Sequence, residues 1–163
     1  MTETQREPVP RVDSGELDTA QAFLSFARHC VLKKASGLSE EQLRRVLVDS
    51  GTSILGIVQH LAEVERYWFG HHLTGAAWDA ELEQGMTVPA HRAAADVLAD
   101  YQAAIDASDC AIHAADPQAR FAIPVDGTRH TLRWAIAHMT SETARHAGHA
   151  DILREQLDGT TGR

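Results

Sequence analysis

Apolar residues recur every three or four positions along four long stretches of this chain, and Gly, Pro and Asp-Ser breakers separate the stretches. That spacing is the helical period, and each apolar stripe needs a second helix to cover it. The first stretch runs from about residue 18 to Gly37, with Leu17, Ala20, Phe23, Leu24, Ala27 and Val31 on one face. Ser39 followed by Gln42 is a capping-box pattern and predicts a short helix through Val48. Asp49-Ser50-Gly51 breaks it. A second long helix is expected over 53–73, striped by Ile54, Ile57, Val58, Leu61, Val64 and Trp68. A loop over 74–89 carries Trp78 and Pro89. The third long helix is expected over 90–115, and Asp116-Pro117 stops it. Residues 121–125 read as briefly extended and Asp126-Gly127 as a turn. Thr131 is the expected N-cap of a last helix over 132–157, closed by Gly159.

Four long amphipathic helices with modest connections predict an all-α four-helix bundle, with the short extra helix between the first two long ones. Residues 1–14 read as a flexible arm, 15–158 as a single domain and 159–163 as a tail. A length of 163 residues suits one domain. The net charge of −8 argues against a broad nucleic-acid footprint. No run approaches the ~18 apolar residues of a membrane span, and the polar start of the chain has no signal-peptide pattern, so a cytoplasmic protein is expected. Cys30 and Cys110 form no CxxC pair, and two buried thiols are the simpler expectation than a disulfide.

The chemistry is bounded first by what is missing. The sequence holds no GxGxxG, P-loop, HExxH or GxSxG, and no Asn, which removes a Cys-His-Asn set. No Glu is followed three residues later by His, so the carboxylate-bridged di-iron pattern of helical bundles fails. Ten histidines are the feature that needs a reason. In the last helix, His138, Glu142 and His146 are spaced by four, and His149 follows. Four helical residues advance about 6 Å and turn by about 40°, so neighbours in the series can meet one ion. The outer two lie about 12 Å apart and cannot. A further ligand must come from another helix, and His60 sits at the edge of the second helix's apolar face. Two imidazoles and a carboxylate suit Zn, Fe, Ni or Mn, and three protein ligands leave open positions. The plainer alternative is that Glu142 and His146 are a surface pair worth about 0.2–0.5 kcal/mol.

Segment 60–69, His-Leu-Ala-Glu-Val-Glu-Arg-Tyr-Trp-Phe, and the segment from Leu132 through His138, Glu142, His146 and His149 to Glu155 resemble two helices of the DinB-like metal-binding four-helix proteins. The branch they resemble most is a set of small actinobacterial proteins of unassigned function, related to mycothiol-dependent enzymes. The resemblance covers about residues 15–158. It implies one divalent metal (Zn, Ni or Fe) held by His60 and by Glu142 and His146, where most members carry two His on the last helix. The Glu–His variant matches a mycothiol-dependent isomerase within the family. That isomerase has a second domain which this chain lacks, so its substrate is not carried over.

The implied activity is a metal-dependent transfer of a mycothiol-type thiol to an unknown electrophile, with a small-molecule thiol as cosubstrate and a homodimer as the assembly. The alternatives on the same scaffold are a non-catalytic divalent-metal or stress-response protein, and a metal-free dimeric interaction module.

Around that set, His149 supports a ligand, faces the open coordination position or faces solvent, and His138 is a packed residue or a support to the ligands. His71 and His72 are read as stabilising the helix C-terminus through its dipole. Glu65 is expected to pair with Arg133 or Arg145. Trp68, Trp78 and Trp134 are expected in the core or on a dimer face. Arg66, Arg133 and Arg145 are candidates for the mouth of the site.

Overall fold

A computed structural model describes residues 7–79 and 85–162. The helices are α1 (Glu16–Ala35), the short α2 (Glu40–Arg44), α3 (Ile54–Glu65), α4 (Ala94–Ala114) and α5 (Leu132–Asp158). The all-α bundle with a short helix after the first long one is therefore the architecture. α1 packs along α5 and α3 along α4, and α3 also meets α5, where the candidate site lies. The core joins Leu24 and Val31 of α1, Ile57, Val58 and Leu61 of α3, Val97, Tyr101 and Ile112 of α4, and Ile136, Met139 and Ala150 of α5. No helix among the described residues is long and apolar enough to cross a membrane.

The local chemistry explains most boundaries. Ser39 and Gln42 form the expected capping box, but α2 ends at Arg44 rather than continuing to Val48. Arg45 turns extended, and the guanidinium of Arg44 donates to the carbonyls of Val88 and Pro89. α4 starts at Ala94, four residues later than expected. Its N-cap, Ala93, has no side-chain acceptor, so the Glu40 carboxylate of α2 accepts from the Ala94 N–H at 2.8 Å. Ser53 caps α3 by accepting from the Gly56 N–H. Thr131 caps α5, and Gly159 closes it in the left-handed conformation at φ 75°. The segment before α5 is extended only as two isolated bridges, Arg120 with Thr131 and Val125 with Thr128. The turn between Val125 and Thr128 has positive φ at both Asp126 (46°) and Gly127 (78°), the geometry Asp-Gly favours.

One element departs in kind. The expected helix over 53–73 is α-helical only to Glu65, and Arg66–Leu73 continues as a π-helical segment. Wider turns of this type often accompany functional sites. Here the segment carries Tyr67, Trp68, His71 and His72 into a cluster with Phe121 and Trp134.

Two expectations about single residues are corrected. Glu65 pairs with neither Arg133 nor Arg145. It is fully buried and accepts from Arg28 of α1 through both oxygens, at 2.7 Å each, while Arg28 also donates to Asp109 at 2.8 Å. Arg133 is instead exposed beside Glu16. Cys30 is buried as expected, but Cys110 is exposed on α4.

Of the N-terminal arm expected over 1–14, residues 7–14 are described and lie against α1, and residues 1–6 lie outside the described residues. Glu7 pairs with Lys33 at 3.0 Å, and the Thr19 hydroxyl donates to the Val12 carbonyl. Within the expected 74–89 loop, residues 80–84 lie outside the described residues.

Candidate metal centre

α3 and α5 bring three of the predicted residues together. His60 Nε2 lies 3.2 Å and His146 Nε2 lies 3.1 Å from the same oxygen of Glu142. The two imidazole rings meet edge-on with centroids 4.9 Å apart. One donor atom from each residue falls within a sphere where all lie within 4.8 Å of one another. His60 and Glu142 are half-buried, and His146 is buried. The local reason is periodicity. Glu142 and His146 are one turn apart on α5, and His60 faces them from the edge of the α3 stripe that packs Leu61 and Val64 inward.

The electrostatics favour a cation here. Burial pushes the Glu142 carboxyl up, but hydrogen bonds from His60 and His146 and the attraction of both rings hold it below the ordinary carboxylate range. Burial, joined by the neighbouring His60, pushes His146 down against the pull of Glu142. An ionised carboxylate and a neutral imidazole are the forms that bind a metal. His146 Nδ1 is buried without a hydrogen-bond partner, so the ring makes its polar contact through Nε2.

Without a cation, two Nε2–H groups must crowd one carboxylate oxygen. A divalent ion would replace those protons. Ligands about 2.0–2.2 Å from Zn in a tetrahedron stand about 3.3–3.6 Å apart; the Glu142 oxygen lies 3.1 and 3.2 Å from the two ring nitrogens, and all three donor atoms lie within 4.8 Å of one another. The residues present therefore fit a metal of the kind the sequence implies.

The other candidates fall around this cluster. His138 is not among the donors. It stacks on Trp134 at 5.0 Å with the rings nearly parallel, and meets Trp68 edge-on at 4.8 Å. Burial pushes its pKa down although Glu142 opposes this. Trp134 also stacks on His130, so His130, Trp134 and His138 form a column of rings at the start of α5. His149 is exposed, and its ring meets that of His146 at 5.5 Å.

His72 is buried, with Nδ1 bonded to the Ile123 carbonyl at 2.9 Å, so packing rather than the helix dipole explains it. His71 Nδ1 bonds the Ala76 carbonyl. Trp78 packs on Tyr67. Of the three mouth arginines, only Arg145 approaches, at 3.9 Å from Glu142 Oε2. Arg66 is engaged by Asp100 at 2.6 Å.

Sequence reasoning missed Glu63. It lies one turn after His60, has a buried oxygen without a hydrogen-bond partner, and is pushed up by burial against the attraction of His60, Arg92 and Arg66. Its i+3 spacing from His60 was the available signal.

A comparison with curated proteins finds no match. The family model described as Mycothiol-S-transferase matches residues 19–159, which takes in α1 from its second turn, the other helices and all three clustered donors. The chain belongs to the mycothiol-S-transferase family, within the DinB-like superfamily.

Proposed function

We propose that this protein is a metal-dependent transferase that joins the sulfur of mycothiol to a small electrophile. The observation that supports it is the convergence of His60, Glu142 and His146 from two helices on one point, in a chain of this family. A divalent ion held there would favour the anionic form of a thiol beside it. The protein's own residues do the rest. His60 and His146 present ring nitrogens towards one point, and Glu142 supplies the negative charge that keeps a cation in place. Arg145, at 3.9 Å from Glu142, keeps its charge near the open side and can draw an anionic group inward.

The test is a conjugation assay with mycothiol and iodoacetamide on protein loaded in turn with Zn, Ni and Fe. Turnover above the uncatalysed rate is expected. His60→Ala and His146→Ala should each lower it at least about 100-fold, the scale of losing a properly held catalytic ion. Turnover unchanged in both variants would overturn the reading. The same reading carries a homodimer, for which light scattering should return about twice the 17.8 kDa chain mass.

A further inference from the structure

Past His146, towards the C-terminus of α5, lies a cleft of about 210 Å³ lined by Val48, Ser50, Thr52, His149, Ile152 and Leu153. Glu142, His146, His149 and Leu153 follow one another on a single face of α5. The cleft thus continues the face that carries the donors, and the His149 ring, which lines the cleft, lies 5.5 Å from that of His146. No lining side chain carries a fixed charge, so a charged occupant would gain no partner. The hydroxyls of Ser50 and Thr52 hydrogen-bond to each other at 3.0 Å, which leaves the remaining lining mainly apolar. Val48 and Ile152 are 36% and 57% exposed, apolar surface that a ligand could cover. Size narrows the class. About 150 Å³ holds benzene in a closed cavity, so this open cleft of about 210 Å³ has room for one ring with a small substituent.

We propose that this cleft is the subsite for the electrophile, and that it selects a neutral electrophile with a single aryl ring, of the benzyl halide type. The inference rests on the transferase reading above and names its second substrate class. In the transfer, the thiolate sulfur forms the new C–S bond at the benzylic carbon as the C–halogen bond breaks. The halide leaves with the bonding pair, and the thiol proton has already passed to solvent. Val48 and Ile152 touch the ring and set specificity.

The test has two arms on the full chain. In the first, the unreactive para-fluorobenzyl alcohol is titrated into wild type, Ile152→Asn and Val48→Asn and followed by fluorine NMR. Both substitutions are neutral and sit at exposed positions, and circular dichroism checks that the helices persist. Saturable binding in wild type is expected, about fivefold weaker in each variant. No saturation in wild type, or equal binding in all three proteins, would overturn the assignment.

In the second arm, metal-loaded protein and mycothiol are given benzyl chloride or iodoacetamide. The ratio of kcat/KM for benzyl chloride to that for iodoacetamide should fall about fivefold in the variants. Equal losses on both electrophiles would overturn the claim of specificity. Absence of turnover with either electrophile in wild type would defeat the transferase reading, and the fluorine titration would still decide the cleft.

Discussion

Glu142 carries most of the site's electrostatics, because one of its oxygens is shared by two imidazoles that come from different helices. Replacing it by Gln would keep the shape and remove the charge that favours a cation. Elsewhere a single residue has a comparable structural role. Glu65 and Arg28 are both buried, and their two-pronged contact leaves neither charge exposed to water. Burial alone would lower the pKa of the Arg28 guanidinium, but Glu65 and Asp109 outweigh it and push it up. Glu65→Ala should therefore destabilise the fold by about 3–5 kcal/mol, because it leaves Arg28 buried and uncompensated. Urea denaturation measures this, and a loss below about 1 kcal/mol would contradict it. The sequence allowed His60, Glu142 and His146 to be read, because i, i+4 spacing and a place at the edge of an apolar stripe are visible without coordinates. The partner of Glu65 was not visible in the same way. Arg28 falls between Ala27 and Val31 inside the α1 stripe, and a charge on an apolar stripe announces burial but not which acid across the bundle meets it.

Elements are joined here by contacts that periodicity does not encode. Arg154 of α5 donates to the carbonyls of Lys34 and Ser36 at the end of α1, at 2.9 and 2.8 Å, and to Asp158 of its own helix. The hydrogen bond from Arg154, with that from Thr160, pulls the Asp158 carboxyl down to about 2. A folded-state value below the unfolded one means that the ionised form stabilises the fold. This contribution is present above about pH 4 and is lost as the pH falls towards 2. Arg154→Ala should lower stability by about 2 kcal/mol at neutral pH and show a smaller further loss between pH 4 and 2 than wild type, as read from denaturation midpoints. An equal acid loss in both proteins would remove Asp158 from the account.

α3 has a different constraint. A Cβ on Gly56 would run into the Met86 carbonyl, so Gly56→Ala should cost about 1–3 kcal/mol despite the better helix propensity of Ala. These features explain why boundaries were less legible than elements. The late start of α4 depends on Glu40 from another helix, and the π-helical turn after Glu65 on rings packing around Trp68. Neither is a property of the local sequence.

At the scale of the whole molecule, the candidate centre is a bond between α3 and α5, two helices far apart in sequence that otherwise meet through apolar packing. An ion there would bind the folded chain and not the unfolded one. At a thousandfold excess over its dissociation constant, it would add about 4 kcal/mol. For a chain of this size that is a rise of roughly 10 °C in Tm, expected in wild type and absent in His60→Ala. The bundle itself was legible because four stripes with breakers between them permit few other packings. The cleft beside His149 was not, because Val48 and Ile152 are exposed, and apolar residues outside a stripe give no signal in a sequence. Metal content by plasma mass spectrometry tests the central claim most directly, on untagged wild type beside His60→Ala and His146→Ala. One equivalent of a single divalent metal in wild type, lost in both variants, is the expected result. A wild type that stays empty after Zn, Ni and Fe are each offered would contradict the account and leave Glu142 and His146 as an ordinary helix pair.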